Sequence, residues 1–206
     1  MDVKPHKLNS SDYRAIASLH CDHINQGFLA TLGVPFLTLL YEAIDKDSES
    51  VLLVERVDRR VVGFVTGTRG LARIYKQLLL KPFRLIYSLK SCLLSPSKMY
   101  KIIEVLLISK DSNISSDLPK QELLSIVVNP AYQGGGHAEN LFKALCAHFR
   151  AEGASSFSIV VGSNLDRAHA FYTKMGSIPV AETQVHNGQS SIVYVTRLFS
   201  LSNDVT

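Results

Sequence analysis

The feature that most constrains this chain is a hydrophobic strand that runs through a glycine-rich loop directly into a helix. The segment reads Ile126-Val127-Val128-Asn129-Pro130-Ala131-Tyr132-Gln133-Gly134-Gly135-Gly136-His137-Ala138. Glycines let a backbone approach a ligand closely, and the unpaired N–H groups at a helix N-terminus point towards anions. The segment therefore predicts a cradle for a phosphate-bearing ligand. The alternative is a tight turn that needs glycine only for steric reasons.

Two common phosphate motifs are absent from this segment. There is no G-x-x-x-x-G-K-[ST] run, and Glu139 stands where a dinucleotide fingerprint needs its third small residue. The sequence therefore disfavours a nucleotide-dependent kinase or a dehydrogenase.

The order of the predicted elements favours an α/β fold. A strand at 3–8 and two helices, one at 9–24 and one after Pro35, precede a β-hairpin at 51–66. A strand (123–128), a helix (138–151), a strand (156–161), a helix (165–175) and a hairpin (178–199) follow. The 206 residues, 46% of them hydrophobic, suffice for one domain and exclude global disorder. The pattern predicts a mixed sheet with flanking helices.

The cysteines and the N-terminus indicate a soluble cytoplasmic protein. The cysteines Cys21, Cys92 and Cys146 are odd in number and form no C-x-x-C pair, which argues against a disulfide framework and a structural zinc site. No apolar region follows the first residues, and Lys81, Pro82, Arg84 and Lys90 interrupt the most hydrophobic stretch, 78–94. We therefore expect neither a signal peptide nor a membrane span.

A second motif, Asn164-Leu165-Asp166-Arg167-Ala168-His169-Ala170-Phe171-Tyr172-Thr173-Lys174-Met175-Gly176, lies downstream of the glycine-rich loop. The spacing Gln133-x-x-Gly136-x-Ala138 resembles the acyl-CoA pyrophosphate loop of the GNAT superfamily of N-acyltransferases. The second motif is similar to that family's Asn-x-x-Ala-x-x-Phe-Tyr-x-x-x-Gly helix. The resemblance implies a GNAT fold over residues 1–206, with a mostly antiparallel sheet whose central strands splay apart.

The resemblance also implies acetyl-CoA, or a close acyl-CoA, as co-substrate. The pantetheine arm would pair with the backbone of Ile126, Val127 and Val128. The pyrophosphate would meet the amides of the loop. Asn164 would contact the pantetheine region, and an alternative or additional role is to cap its helix. The loop residues implied are Gln133, Gly134, Gly135, Gly136, His137 and Ala138.

Acyl transfer to an amine requires a neutral amine, a stabilised oxyanion and a proton for the departing thiolate. The resemblance places the acid at Tyr172 and the oxyanion donor at a strand N–H near Val127. Glu122 is the candidate base through a water, because alternation along the strand predicts that it shares a face with Leu124, Ile126 and Val128. The alternative is that Glu122 is a solvated charge at the strand end.

The acceptor site is expected at the end of the first helix. The resemblance favours His20, His23 and Phe28 as its residues, although such histidines also cap helix C-termini. Cys21 and Asp22 between the two histidines complete no metal-ligand set, so we expect no metal. The expected acceptor is a small-molecule primary amine, with an amino sugar as one candidate. A catalytically silent acyl-CoA sensor is the alternative function.

Basic residues concentrate in one predicted helical insertion, at about residues 70–108. The cations are Arg73, Lys76, Lys81, Arg84, Lys90, Lys98 and Lys101, and the one acid is Glu104. One interpretation is an amphipathic helical hairpin that packs on the sheet or on a second subunit, so a homodimer stays open. The other is a basic wall that attracts an anionic substrate or rests on anionic lipid as a peripheral membrane protein. No nucleic-acid partner is expected.

Overall fold

The computed structural model describes residues 7–24, 28–90, 118–185 and 189–198. The helices are α1 (Ser10–His23), α2 (Gly33–Lys46), α3 (Leu71–Leu79), α4 (Pro82–Ser88), α5 (His137–Ala151) and α6 (Asp166–Lys174). The strands are β1 (Ser50–Val57), β2 (Arg60–Thr68), β3 (Glu122–Val128), β4 (Ser156–Gly162), β5 (Ile178–Val185) and β6 (Gln189–Arg197). Short 3-10 turns lie at Leu29–Leu32 and Pro130–Tyr132.

The strands of the described residues form one mixed sheet in the order β1-β2-β3-β4-β6-β5. β3 and β4 run parallel, and the other neighbouring pairs run antiparallel. The predicted α/β class with a mixed, mostly antiparallel sheet is therefore confirmed.

Local sequence explains where several elements begin and turn. Asn9 caps α1 through a capping box with Asp12, as its position before the helix predicts. The β1–β2 turn places Asp58 and Arg59 at φ 48° and 64°, the left-handed conformation that tight hairpin turns require. Of the strand expected at residues 3–8, residues 3–6 lie outside the described residues, and residues 7–8 belong to no strand.

Helices cover both faces of the sheet. On what we call the front face, α1, α2 and α3 enclose a core that includes Phe36, Tyr41 and Phe64. On the back face, α5 packs Phe142 and Phe149 against the strands. Gly67 on β2 permits this approach, because a Cβ there would lie 2.5 Å from the ring of Phe149. Strands β1, β2 and β3 are thus covered on both faces, so the direction of each of their side chains decides which of the two cores it enters.

The two central strands separate soon after they meet. Although β3 and β4 each span seven residues, they pair only at Glu122↔Ser158 and Leu123↔Ile159. β3 also carries a β-bulge, because its register with β2 passes from Leu123 directly to Ser125 and leaves Leu124 without a partner. The predicted splayed strands are confirmed, and they open a groove in the middle of the sheet.

Two helices form the described part of the basic insertion, α3 and α4, and Pro82 begins the second of them. Their inner side chains, Ile74, Tyr75, Leu78, Leu85 and Leu89, belong to the front core. Residues 91–108 of the predicted insertion lie outside the described residues. The helical hairpin therefore packs on the front of the sheet, as one of the two interpretations of the insertion predicts.

Candidate active site

A groove of about 750 Å³ lies between the diverging strands. β3 and β4 form its walls, the glycine-rich loop closes one end, and His23 and Ile24 of the α1 end lie at the other. We call these the phosphate end and the acceptor end. Ten of the residues predicted for the site line the groove: His23, Ile126, Val128, Gln133, Gly134, Gly136, His137, Ala138, Asn164 and Tyr172.

The phosphate end consists of backbone. Gly134 and Gly136 adopt φ values of +84° and +78°, which favour glycine, and Gly136 is the residue from which α5 starts. The amides from Gly134 through Ala138 donate to no described residue. Unpaired amides at a helix N-terminus are the donors that a pyrophosphate needs, so the loop fits the predicted ligand.

The side chain of Gln133 fastens the loop to its surroundings. Its Nε2 donates to the Val128 carbonyl at 3.3 Å, and its Oε1 accepts from Arg167 of α6 at 2.8 Å. The Gln133 amide itself donates to the Pro130 carbonyl. The prediction that this amide meets the pyrophosphate is therefore wrong, because the amide already donates its hydrogen bond within the 3-10 turn. Gln133 acts instead by holding an exposed arginine beside the loop.

His137 folds back beneath the same loop. Its Nδ1 hydrogen-bonds to Glu55 of β1 at 2.9 Å, and its ring lies edge-on to Tyr132. A Cβ at Gly135 would lie 3.1 Å from that ring, so the middle glycine leaves space for the histidine. Gly135 is not among the groove-lining residues, and its role in the described structure is steric.

The free edge of β3 forms one long wall of the groove. Beyond Leu123 this edge has no ladder partner on β4. Ile126 and Val128 line the groove, whereas the Val127 side chain belongs to the front core. Val127 can therefore reach the groove only through its backbone. Backbone groups at an unpaired strand edge require a partner, which an extended ligand arm would supply.

Tyr172 lies on the other side of the groove, within α6. Its side chain is buried in the back core and contacts the rings of Phe142, Phe171 and Tyr194. Its hydroxyl makes no hydrogen bond to any residue that the structure describes. Burial raises the pKa of this phenol, so it remains protonated and able to donate.

Asn164 lies in the turn before α6. It is exposed and lines the groove, and helix α6 has Leu165, with no side-chain hydrogen bond, as its N-cap. The alternative that Asn164 caps this helix is therefore wrong. The amide side chain remains free to meet a ligand.

The predicted face of Glu122 is wrong. Leu124 and Val127 belong to the front core, whereas Ile126 and Val128 belong to the back core. The bulge at Leu124 inverts the alternation, so Glu122, which interacts electrostatically with Tyr75 of α3, points to the front. Glu122 is not among the residues lining the groove, and burial raises the pKa of its carboxyl.

The three residues predicted for the acceptor site lie in different surroundings. His23 is exposed and lines the groove. His20 is buried, hydrogen-bonds to the Tyr41 hydroxyl, and has a pKa lowered to about 4 by burial. Phe28 is half-buried against the front core. Neither His20 nor Phe28 lines the groove, because the front core takes up both side chains.

Sequence reasoning missed Ser125 and Arg167. Ser125 lines the groove next to the bulge and lies close to the Tyr41 hydroxyl, which hydrogen-bonds to His20. No sequence signal marks a bulge at this place. Arg167 lies within the quoted second motif, and its charge beside a predicted anion site was a signal that could have identified it.

The described residues contain no group of three or more His, Cys, Asp or Glu side chains that could hold a metal ion. Within that same part of the chain, no helix has the length and apolar character needed to cross a membrane.

A splayed strand pair that ends in an anion cradle defines a class of enzymes that hold an acyl-CoA between two strands. The chain matches the family model of the acetyltransferase (GNAT) family over residues 21–177, and it belongs to that family. It is an acyl-CoA-dependent N-acetyltransferase. None of the curated protein sequences is significantly similar to it.

Solved structures show the same fold at low sequence identity. The Escherichia coli ribosomal-protein-S18-alanine N-acetyltransferase is 11% identical, with 98% of this chain and 97% of that chain covered and a TM-score of 0.56. Ard1 from Thermoplasma volcanium is 14% identical, with 95% and 97% covered and a TM-score of 0.58. Arabidopsis thaliana NAA60, in complex with acetyl-CoA, is 17% identical, with 93% and 96% covered and a TM-score of 0.57.

Proposed function

We propose that this enzyme transfers an acetyl group from acetyl-CoA directly to the primary amine of a small molecule, with an amino sugar as one candidate. The observation that carries the proposal is the groove between β3 and β4. It joins the backbone amides of Gly134–Ala138 at one end to the Tyr172 hydroxyl along its wall, and neither the amides nor the hydroxyl has a hydrogen-bond partner among the described residues. A ligand with a polyphosphate at one end and a reactive sulfur further along matches this order of groups.

Each part of the groove would hold one part of acetyl-CoA. The amides of Gly134–Ala138 would bind the pyrophosphate, and Arg167 would add a cation beside it. The free edge of β3 at Ile126–Val128 would pair with the pantetheine amides, and Asn164 would contact the same arm from the opposite side. A backbone N–H near Val127 would stabilise the oxyanion.

The transfer itself requires two proton movements. The amine nitrogen forms a bond to the thioester carbonyl carbon, and the bond between that carbon and sulfur breaks. Tyr172 would give its phenolic proton to the departing sulfur, which its raised pKa allows across the neutral range. The surplus proton of the amine would pass first to water, because Glu122 does not line the groove. Glu122 would receive the proton from that water, and its raised pKa makes it a stronger base than an exposed glutamate.

The acceptor end offers polar groups suited to a small polar amine. His23 and Ser125 supply hydrogen-bonding groups there, and Ile24 and Leu124 supply apolar contacts. Phe28, packed on the front core in the turn after α1, would border the approach. His20 would act only indirectly, through its hydrogen bond to Tyr41, whose hydroxyl lies close to Ser125.

Thiol release from acetyl-CoA tests this function. The purified enzyme is offered a panel of amino sugars, other small primary amines, and peptides with a free N-terminus, and each product is identified by mass spectrometry. We expect turnover with one small-molecule class and little with peptides. Turnover confined to peptides would overturn the proposed acceptor class. Tight acetyl-CoA binding without turnover on the whole panel would favour the silent sensor.

A further inference from the structure

Large apolar side chains are exposed on the outer side of the α3–α4 hairpin. They are Leu79 (40% exposed), Leu80 (74%), Phe83 (87%), Ile86 (57%) and Tyr87 (69%). We call these five residues the outer patch. The opposite side of the same hairpin is already buried in the front core. The hairpin is therefore apolar on both sides, although an ordinary surface helix has one apolar face and one polar face.

The charges around the outer patch are of one sign. Residues 71–90 contain five cations and no acid. Two of the cations are neutralised: Arg73 pairs with Asp47 and Glu49, and Arg84 forms a two-pronged ion pair with Glu42.

The other three cations remain uncompensated. Lys76 and Lys81 have no acidic partner among the described residues, and the Lys90 ammonium lies 4.8 Å from the centre of the Tyr87 ring. Exposed apolar groups therefore stand among free positive charges.

We propose that the outer patch docks on the surface of an anionic lipid bilayer. Phe83, Ile86 and Tyr87 occupy one side of α4 at helical spacing, so they can enter the headgroup region together. Lysines near the surface gain additional free energy from anionic headgroups. The docking is interfacial and independent of which amine accepts the acetyl group.

Two other occupants fit the patch less well. A second copy of the chain docked by twofold symmetry brings the three uncompensated lysines of each copy close to those of the other, which is repulsive. A soluble anionic ligand requires a concave site, but no residue of the outer patch lines the groove. A lipid surface accepts both the apolar side chains and the charges.

Co-sedimentation of the full chain with vesicles tests this docking. Vesicles of phosphatidylcholine are compared with vesicles of phosphatidylcholine and phosphatidylglycerol, at low and high salt. We expect binding only to the anionic vesicles, and weaker binding at high salt. Equal binding to both vesicle types, or no binding to the anionic ones, would overturn the proposal.

Two sets of substitutions test whether the outer patch makes the contact with the vesicle. Leu80→Ser with Phe83→Ser should weaken binding at least about tenfold. The triple change Lys76→Gln, Lys81→Gln and Lys90→Gln should weaken binding roughly a hundredfold at low salt.

The matched control is Ile178→Ser with Val180→Ser, which removes two apolar side chains that are 52% and 49% exposed on β5 and should leave binding unchanged. All variants should retain the melting temperature and acetyl-CoA affinity of the wild type. Patch variants that bind vesicles as the wild type does would overturn the proposal. So would patch variants that change only the mass of the particle in solution, which would identify a second copy as the occupant.

Discussion

At the phosphate end of the groove, the groups available to a ligand are consecutive backbone amides, from Gly134 to Ala138. At the acceptor end, they are side chains from distant segments, such as His23 of α1 and Ser125 of β3. The first arrangement depends on a short run of sequence and its local conformation. The second depends on how α1 and α2 pack on a bulged strand. Mutations at the phosphate end should therefore affect the binding of acetyl-CoA. Mutations at the acceptor end should affect the binding of the amine or the stability of the front core.

A substitution of Tyr172, which lies between the two ends of the groove, should have the largest effect on the reaction rate. We expect Tyr172→Phe to lower kcat by about 10²–10⁴-fold, because the phenylalanine has no proton to give the thiolate. Acetyl-CoA affinity, measured by calorimetry, should hardly change. Because burial raises the pKa of Tyr172, its titration should produce no basic limb in the wild-type pH profile near neutrality. A wild-type kcat would assign Tyr172 to packing alone.

A substitution of Gly136 tests the role of the phosphate end of the groove. We expect Gly136→Asp to weaken acetyl-CoA binding by about 2–4 kcal/mol, because a carboxylate would stand against the pyrophosphate. The matched control is Gly153→Asp. Gly153 has the same φ of +78°, has equally open surroundings and lies at the far end of α5, so it imposes the same backbone strain away from the groove.

Both glycine variants should lose similar stability, and only the change at Gly136 should weaken calorimetric affinity. Equal affinity in the two folded variants would contradict the role of the loop.

The protonation of His20 tests how burial in the front core, beneath the acceptor end, affects stability. Its pKa is lowered from 6.5 to about 4 by burial, so the unfolded chain binds a proton that the folded chain does not bind. The free energy of unfolding should therefore be highest above pH 6.5 and fall by about 2–3 kcal/mol as the pH decreases towards 4.

Denaturant unfolding at several pH values measures this slope. His20→Gln should flatten it, whereas the exposed His23→Gln on the same helix should not. An unchanged slope in His20→Gln would show that other groups cause the acid sensitivity.

A substitution of Glu122 should have the smallest effect on kcat/KM. Because the pKa of Glu122 is raised, kcat/KM should fall with decreasing pH, and the midpoint of this fall should lie above 4.5, the ordinary pKa of a glutamate. The reason is that the protonated carboxyl group cannot accept the proton of the amine. Glu122→Gln should shift this acid limb and lower kcat/KM by about tenfold or less, since water can also take the proton. Glu182→Gln on β5 is the control. An identical pH profile would leave Glu122 without a catalytic role.

Much of the fold was predictable because its signals are local. Asn9 before α1, the turn at Asp58-Arg59, and the glycine-rich entry to α5 each depend on a few adjacent residues. The faces of β3 were not predictable. Alternation placed Glu122 with Ile126, but the bulge at Leu124 reverses it. A bulge is selected by packing on both faces of the sheet, which no short pattern shows.

The acceptor end was predictable only in part for the same reason. His20 and His23 are three residues apart on one helix, and nothing local distinguishes them. The packing of α1 against α2 places His20 on Tyr41 and leaves His23 at the groove. The outer patch is a similar case, because helical spacing marks apolar residues but does not tell which of two apolar sides the core will cover.

The sequence by itself determined the family, the groove-forming motifs and the phosphate loop, because backbone groups and glycine conformations depend on neighbours along the chain. Only the tertiary structure decided that Gln133 holds Arg167, that Glu122 faces the front, and that His20 is buried while His23 lines the groove. These outcomes depend on side chains from separate segments that meet only when the sheet is covered on both faces. Burial then lowers the pKa of His20 and raises the pKa of Glu122.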